Sequence, residues 1–202
     1  MQENERKFYE EYKRHVFEKK EDAYLTEKQL LVGKIAIDLD FRYDTNVQSK
    51  QHSDDHIADF IELLSTQMNG LFSNIENQTI RFHIFEKPNV NKCENKTKDG
   101  IHIIINILCD FATKMVLRDL LLQEIEDVWG DLPITNTWSD VIDEGVMKGF
   151  VNWQLYGSKK PGCESYQLKY IYDMTIANGE MDLQCMNVEK EPFDFEALVV
   201  RS

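Results

Sequence analysis

Gly33-Lys34-Ile35-Ala36-Ile37-Asp38-Leu39-Asp40-Phe41-Arg42-Tyr43 is a short apolar run that carries two carboxylates two residues apart. Read as a β-strand, it sends residues i and i+2 to one face, about 7 Å apart. Asp38 and Asp40 then aim one way, and Leu39 and Phe41 the other. Two such carboxylates at the end of a buried strand repel each other and cost desolvation. A divalent cation between them relieves both, and oxygen-only ligands select Mg²⁺ or Mn²⁺. The alternative is a strand that ends in a solvated acidic turn. Asp-x-Asp alone is too short to separate the two.

Around this run, the chain of 202 residues is long enough for one domain with a sizeable core. Hydrophobic residues make up 42% and aromatics 11%, as in a globular protein. No apolar run approaches the roughly 20 residues that span a membrane. The charged start, MQENERKFYEEYKRH, has no apolar stretch of the kind a secretory signal needs. Cys93, Cys109, Cys163 and Cys185 are scattered, with no CxxC spacing, so an intracellular, reduced protein without a zinc module is expected. The N-x-T sequons at Asn77 and Asn95 are then chance matches. A net charge of −13 argues against a wide grip on nucleic-acid backbone, though not against a nucleic-acid enzyme with an acidic metal site. The chain stops at Arg201-Ser202 without a capping signal, and a longer parent protein is expected.

Element by element, a charged helix is expected over 1–19, with Phe8, Tyr9, Tyr12 and Val16 on one side. Ser53 or Asp54 caps a helix to Leu71, with Ile57, Phe60, Ile61, Leu64 and Met68 at helical spacing. Residues 79–85 alternate as a strand, and the β-branched 101–107 reads as a buried one. Asp110 caps a long helix to Trp129, which Gly130 and Pro133 end. Residues 138–149 fit either a short helix or a loop. Residues 151–156 and 167–174 read as strands joined by a loop, with a last strand at 181–187 and a weakly specified acidic tail. Strands and helices interleave without a βαβ rhythm, so the expected class is α/β (α+β), with a mixed, partly antiparallel sheet flanked by helices.

Three companions of the acidic pair stand out. His102 follows Gly100 at a strand start, behind Lys96 and Lys98. Glycine permits close approach, so K-x-K-x-G-x-H can hold a phosphate chain. A lone His in an apolar strand is also an ordinary hydrogen-bonded core residue. Asp143 follows Val141-Ile142 and can turn inward as a third oxygen ligand, or serve as an acidic helix start favoured by the dipole. The loop Tyr156-Gly157-Ser158-Lys159-Lys160-Pro161 offers amides, a hydroxyl and two cations to an anion. Its plain alternative is a solvated hairpin loop.

In order, these pieces resemble the archaeo-eukaryotic primase superfamily, most closely the primase domain at the N-terminus of primase–helicases of large nucleocytoplasmic DNA viruses. That pattern is an apolar strand ending in hhhDhD (Ile37 to Tyr43), then small-x-His (Gly100-Ile101-His102), then apolar-Asp (Ile142-Asp143). The viral branch adds a stretch like Asn152 to Pro161, a following Tyr (Tyr166), and an upstream stretch like Tyr24 to Gln29. The resemblance covers roughly residues 20–175.

It implies a catalytic domain spanning 1–202 with an RRM-like palm portion. It implies that Asp38, Asp40 and Asp143 hold two Mg²⁺ or Mn²⁺ ions, and that His102, with Lys98, contacts the triphosphate. Ser158, Lys159 and Lys160 match a segment that reaches the triphosphate in related primases, and Arg42 is placed near phosphate or template. Asp99 departs from the more basic cellular pattern before the His. The implied activity is primer synthesis on a single-stranded DNA template from nucleoside triphosphates. The implied partner is a C-terminal helicase that can form hexamers, and the implied place is a viral replication site in host cytoplasm or nucleus. Two alternatives use the same residues differently: a metal-dependent nuclease or phosphohydrolase, and a catalytically silent module of a replication complex.

Overall fold

A computed structural model describes residues 3–73 and 75–201. Residues 1 and 2, where the expected N-terminal helix begins, lie outside the described residues. The elements run α1 (Glu3–Lys13, continued by a π-type turn to Glu18), β1 (Thr26–Glu27), β2 (Val32–Tyr43), α2 (Asp54–Leu71), β3 (Thr79–Glu86), β4 (Asn91–Lys92) and β5 (Thr97–Asp110). They continue with α3 (Phe111–Trp129), α4 (Trp138–Val141), α5 (Glu144–Met147), β6 (Trp153–Gln154), β7 (Gln167–Ala177) and β8 (Glu180–Met186).

The main sheet has the order β2-β5-β3-β7-β8, with β4 added to one end of β5. Every pairing among the described residues is antiparallel, so the sheet is more uniform than the partly antiparallel one expected. The α/β class stands. The β-α-β-β-α succession of β2, α2, β3, β5 and α3, with β5 between the other two strands, is the RRM-like palm arrangement.

Strand alternation divides the sheet into two faces. Ile35, Ile37, Leu39, Phe41 and Tyr43 of β2 are fully buried against α2 and α3, in one cluster with Ile101, Ile103 and Ile105 of β5. Both helices start where their caps predict. Ser53 Oγ accepts the His56 amide in a capping box, and the Asp110 carboxylate accepts the Thr113 amide. The opposite face carries Ala36, Phe85 and Ile104, roofed by Trp153, Val146, Leu198 and Val200.

Two expectations change. Residues 151–156 and 167–174 do not form a hairpin. Only Trp153–Gln154 is strand, and it pairs with Thr26–Glu27, while β7 pairs with β3 and β8. Trp153 and Leu155 find their apolar partners elsewhere, in clusters built with α1 and the chain's end. The tail is also well anchored. Phe195, Leu198, Val199 and Val200 are buried, Lys34 Nζ donates to the carbonyls of Glu196 and Val199, and the Glu27 carboxylate accepts the Val200 amide.

Candidate active site

The register of β2 against β5 sets the site. Asp38 lies opposite His102, and Asp40 opposite Gly100. The first two motifs therefore face each other across one strand pair. The third arrives by backbone pairing. Ile142 bridges Leu39 on the free edge of β2, and the Asp143 amide donates to the Asp38 carbonyl at 3.0 Å. The segment 138–149 is two short helices, and Asp143 sits at their junction as the N-cap of α5, accepting the Val146 amide at 2.9 Å. It is thus both an acidic helix start and a neighbour of Asp38.

These residues line a cleft of about 430 Å³, together with Lys87, Lys98, Lys159, Lys160, Trp153 and Tyr166. The carboxylate wall and the cationic wall are in direct contact. Asp40 Oδ2 is 3.3 Å from Lys98 Nζ and 3.4 Å from Arg42 Nε, and His102 Nε2 is 3.5 Å from Asp38 Oδ1. Burial, then the charges of Asp40 and Asp143, raise Asp38 to about 7. Burial, with help from Lys87 and Lys160, holds His102 well below the usual imidazole range, so it is neutral at neutral pH. His102 is stacked on Tyr166 at 3.6 Å between centroids, with Trp153 tilted against it at 4.3 Å. Its orientation is fixed by two rings rather than by a charge.

Gly100 is required here by its neighbour. A Cβ at this position would lie 2.6 Å from Tyr166 Oη and 3.1 Å from the Leu39 carbonyl. The open space expected for a phosphate is taken by the tyrosine, and the Gly100 amide donates to Asp99 Oδ1.

The loop 156–161 divides. Lys159 and Lys160 line the cleft, Lys159 while paired with Asp22 at 2.7 Å. Ser158 does not. It is 2% exposed, and its Oγ bonds Tyr12 Oη at 2.8 Å and accepts the Leu25 amide at 3.1 Å. Its hydroxyl ties α1 to the irregular segment before β1 and is spent as a phosphate donor. A Cβ at Gly157, which sits at φ +89°, would lie 2.7 Å from the Phe17 ring, so it too answers to packing. Arg42 is held beside Asp40, with its amide donating to Asn136 Oδ1. Lys96 stays in the turn before β5, its carbonyl accepting the Cys93 amide. Sequence reasoning missed Lys87 and Trp153. Lys87 lies two residues beyond Phe85, which pairs with His102, so strand alternation was the available signal.

Over residues 1–172 the chain matches the family described as the C962R protein N-terminal AEP domain, an archaeo-eukaryotic primase-type domain of a viral primase–helicase. The chain belongs to this family. No curated protein matches it. Membership in the AEP family supports a primase-type function in general terms. The match ends within β7, so β8 and the buried tail lie beyond it.

The donor set is all oxygen, the chemistry a divalent cation takes, although its side chains are not gathered around one point. Three carboxylates line one cleft, and a bound cation would offset both the burial and the repulsion from Asp40 and Asp143 that raise Asp38. The three side chains do not converge on a single point. Among the described residues, no three His, Cys, Asp or Glu groups are arranged to hold one ion. Asp40 leans toward Lys98 and Arg42, and Asp143 toward the α5 amides.

Proposed function

We propose that this domain is a template-directed nucleotidyltransferase of the primase type, acting on single-stranded DNA with nucleoside triphosphates. The facing register of Asp38 with His102 and of Asp40 with Gly100 carries this proposal. It sets a carboxylate wall against a basic wall at the spacing of one strand pair, and a transferring triphosphate needs both. Bound Mg²⁺ or Mn²⁺ ions would activate the attacking 3′-hydroxyl and neutralise charge on the leaving pyrophosphate. Asp38, Asp40 and Asp143 are the residues that would hold them.

The chain's own groups do the rest. Lys98, Lys160 and Lys87 supply positive charge along the cleft for the triphosphate. Neutral His102, clamped by Tyr166 and Trp153, offers a directional hydrogen bond to a phosphate oxygen. Lys159 joins them if its pair with Asp22 opens. Lys98 also restrains Asp40, and binding of cation and triphosphate together would exchange that contact for one to each. The family description, an N-terminal domain of a viral primase–helicase, supports a helicase partner in the same polypeptide.

Primer synthesis on single-stranded DNA with Mn²⁺ and nucleoside triphosphates tests the proposal. Asp38→Ala and Asp40→Ala are expected to abolish product while the circular dichroism spectrum is unchanged. Oligonucleotide synthesis by the double variant would sink it, and shortening of labelled DNA without nucleotides would point to a nuclease instead. His102→Ala is expected to weaken nucleotide binding about tenfold, as loss of a hydrogen bond to a charged group does. An unchanged affinity would return His102 to the core.

A further inference from the structure

Behind the basic wall, on the helix-facing side of the sheet, lies a buried cluster of titratable side chains. Asp99, Glu86 and His52 have side chains 1%, 8% and 2% exposed. His52 Nε2 is 3.0 Å from Glu86 Oε1, and Lys50 Nζ donates to Glu86 Oε2 at 2.7 Å. Asp99 Oδ1 accepts the Gly100 amide at 2.9 Å. His52 Nδ1 and Asp99 Oδ2 face each other at 3.5 Å, and neither has a hydrogen-bond partner. The members come from three places: the loop before α2, the end of β3 and the start of β5.

Their chain neighbours are cleft residues. Lys87 follows Glu86, and Lys98 and Gly100 flank Asp99, with His102 one strand repeat further on. Apolar packing at this point would be cheaper, because buried ions cost desolvation that their attraction only partly returns. Apolar contact is also non-directional and lets strands slide, whereas charged hydrogen bonds fix position closely.

We propose that the His52–Glu86–Asp99 cluster is the positioning device of the cleft's basic wall, holding Gly100, Lys98, Lys87 and His102 where a triphosphate meets them. This rests on the nucleotide-binding reading above. It accounts for Asp99, the residue that departs from the basic pattern before the His. Asp99 lies in the cleft lining, but its carboxylate is buried against the Gly100 amide and His52 and places the wall instead of repelling the ligand.

The test measures ATP binding with Mn²⁺, Mn²⁺ binding alone, and steady-state priming, on the full chain. Asp99→Ala and His52→Ala are expected to raise the ATP Kd and KM by at least about tenfold, with kcat within about threefold, as misplacement of a binding wall does. Mn²⁺ affinity without nucleotide should not change. Asp99→Asn keeps an acceptor for the Gly100 amide and offers a donor to His52 Nδ1, and should bind ATP within about threefold of wild type. The proposal falls if the alanine variants lose thermal stability yet bind ATP normally, or if Asp99→Asn binds as poorly as Asp99→Ala. If the alanine variants do not fold, Asp99→Asn and Glu86→Gln decide. Glu86→Gln should weaken ATP binding several-fold, and wild-type binding in it overturns the proposal. A wild-type chain that binds Mn²⁺ but no nucleoside triphosphate overturns the proposed function along with it. Normal ATP binding in all variants overturns the positioning role alone.

Discussion

The two faces of the β2–β5 pair share one backbone and differ in everything else. Toward α2 and α3 stand Ile35, Ile37, Leu39, Phe41 and Tyr43, all fully buried and apolar save one hydroxyl. Toward the cleft stand Ala36, Asp38, Asp40 and Arg42, facing Ile104, His102, Gly100 and Lys98. The first face is the kind that drives folding by burial. The second gathers like charges, a desolvated imidazole and a glycine with no room for a methyl group, each of which costs stability. The difference separates what the fold gains from what it tolerates for chemistry, at a resolution of one residue.

Asp38 and Leu39 are therefore the sharpest pair to compare. Leu39→Ala is expected to lower unfolding free energy by about 2–5 kcal/mol, since the cavity is fully enclosed. The folded fraction should retain metal and nucleotide binding. Asp38→Asn removes one member of the repelling group. Its urea midpoint at pH 8 should be unchanged or higher, while priming falls at least about 100-fold. Equal loss of stability in the two variants would break the division between the faces.

A second expectation concerns pH. The fold favours protonated Asp38, with a midpoint near 7 against an ordinary 3.8. A divalent ion needs the carboxylate, so a proton competes for it. Mn²⁺ affinity by calorimetry should fall as pH drops below about 7, approaching tenfold per pH unit. Without metal, stability runs the other way. The unfolded chain ionises first, so Asp38's contribution declines as pH rises from the ordinary carboxylate range through about 7. Asp40→Asn, which removes the neighbouring charge, should move the affinity midpoint down. A midpoint that stays put would assign the shift to burial and Asp143.

Gly100→Ala tests how the cleft face is packed. The new methyl would press on Tyr166 Oη and the Leu39 carbonyl. A cost of about 2–3 kcal/mol in urea unfolding is expected, with the His102–Tyr166 stack displaced. Tyr166→Phe removes the crowding oxygen and should recover part of the loss in the double variant. Strict additivity of the two changes would mean that the crowding lies at Leu39 instead.

Much of this was legible in the sequence, and the limits have a common cause. Period-two alternation fixed which way Asp38 and Asp40 point, and the caps Ser53 and Asp110 marked two helices, because these are local properties of a few residues. The order of the three motifs pointed to one site. Alternation names a face but no partner strand, so 151–156 and 167–174 read as strands joined by a loop, while Trp153–Gln154 belongs with Thr26–Glu27. A hydroxyl's direction is set by what packs around it, so the loop alone offers Ser158 to an anion or to solvent, while Tyr12, 146 positions away, holds it. Lys87 is the exception, since alternation beyond Phe85 places it on the cleft face. The buried tail has no such local signal, because its partners come from distant parts of the chain.

The smallest expected effect lies away from the cleft, where burial of charge serves the tail. Glu27 is 6% exposed, with Oε1 accepting the Val200 amide and Oε2 without a hydrogen-bond partner. Burial raises it to about 7, against an ordinary 4.5. In the unfolded chain it ionises first, so stability declines as pH rises between these two values. Glu27→Gln keeps the acceptor for Val200 and cannot ionise. It should flatten that decline and add about 1–2 kcal/mol at pH 8, an allowance below the full shift because other ionisations overlap it. At pH 4, where both states of the wild type hold the proton, the gain should vanish. Priming should not change, since Glu27 does not line the cleft. A gain independent of pH would mean that the glutamine packs better and that the buried charge is not what limits the tail. Loss of priming alongside unchanged stability would join the tail strap to the cleft, and the separation of the two faces would then be incomplete along β1.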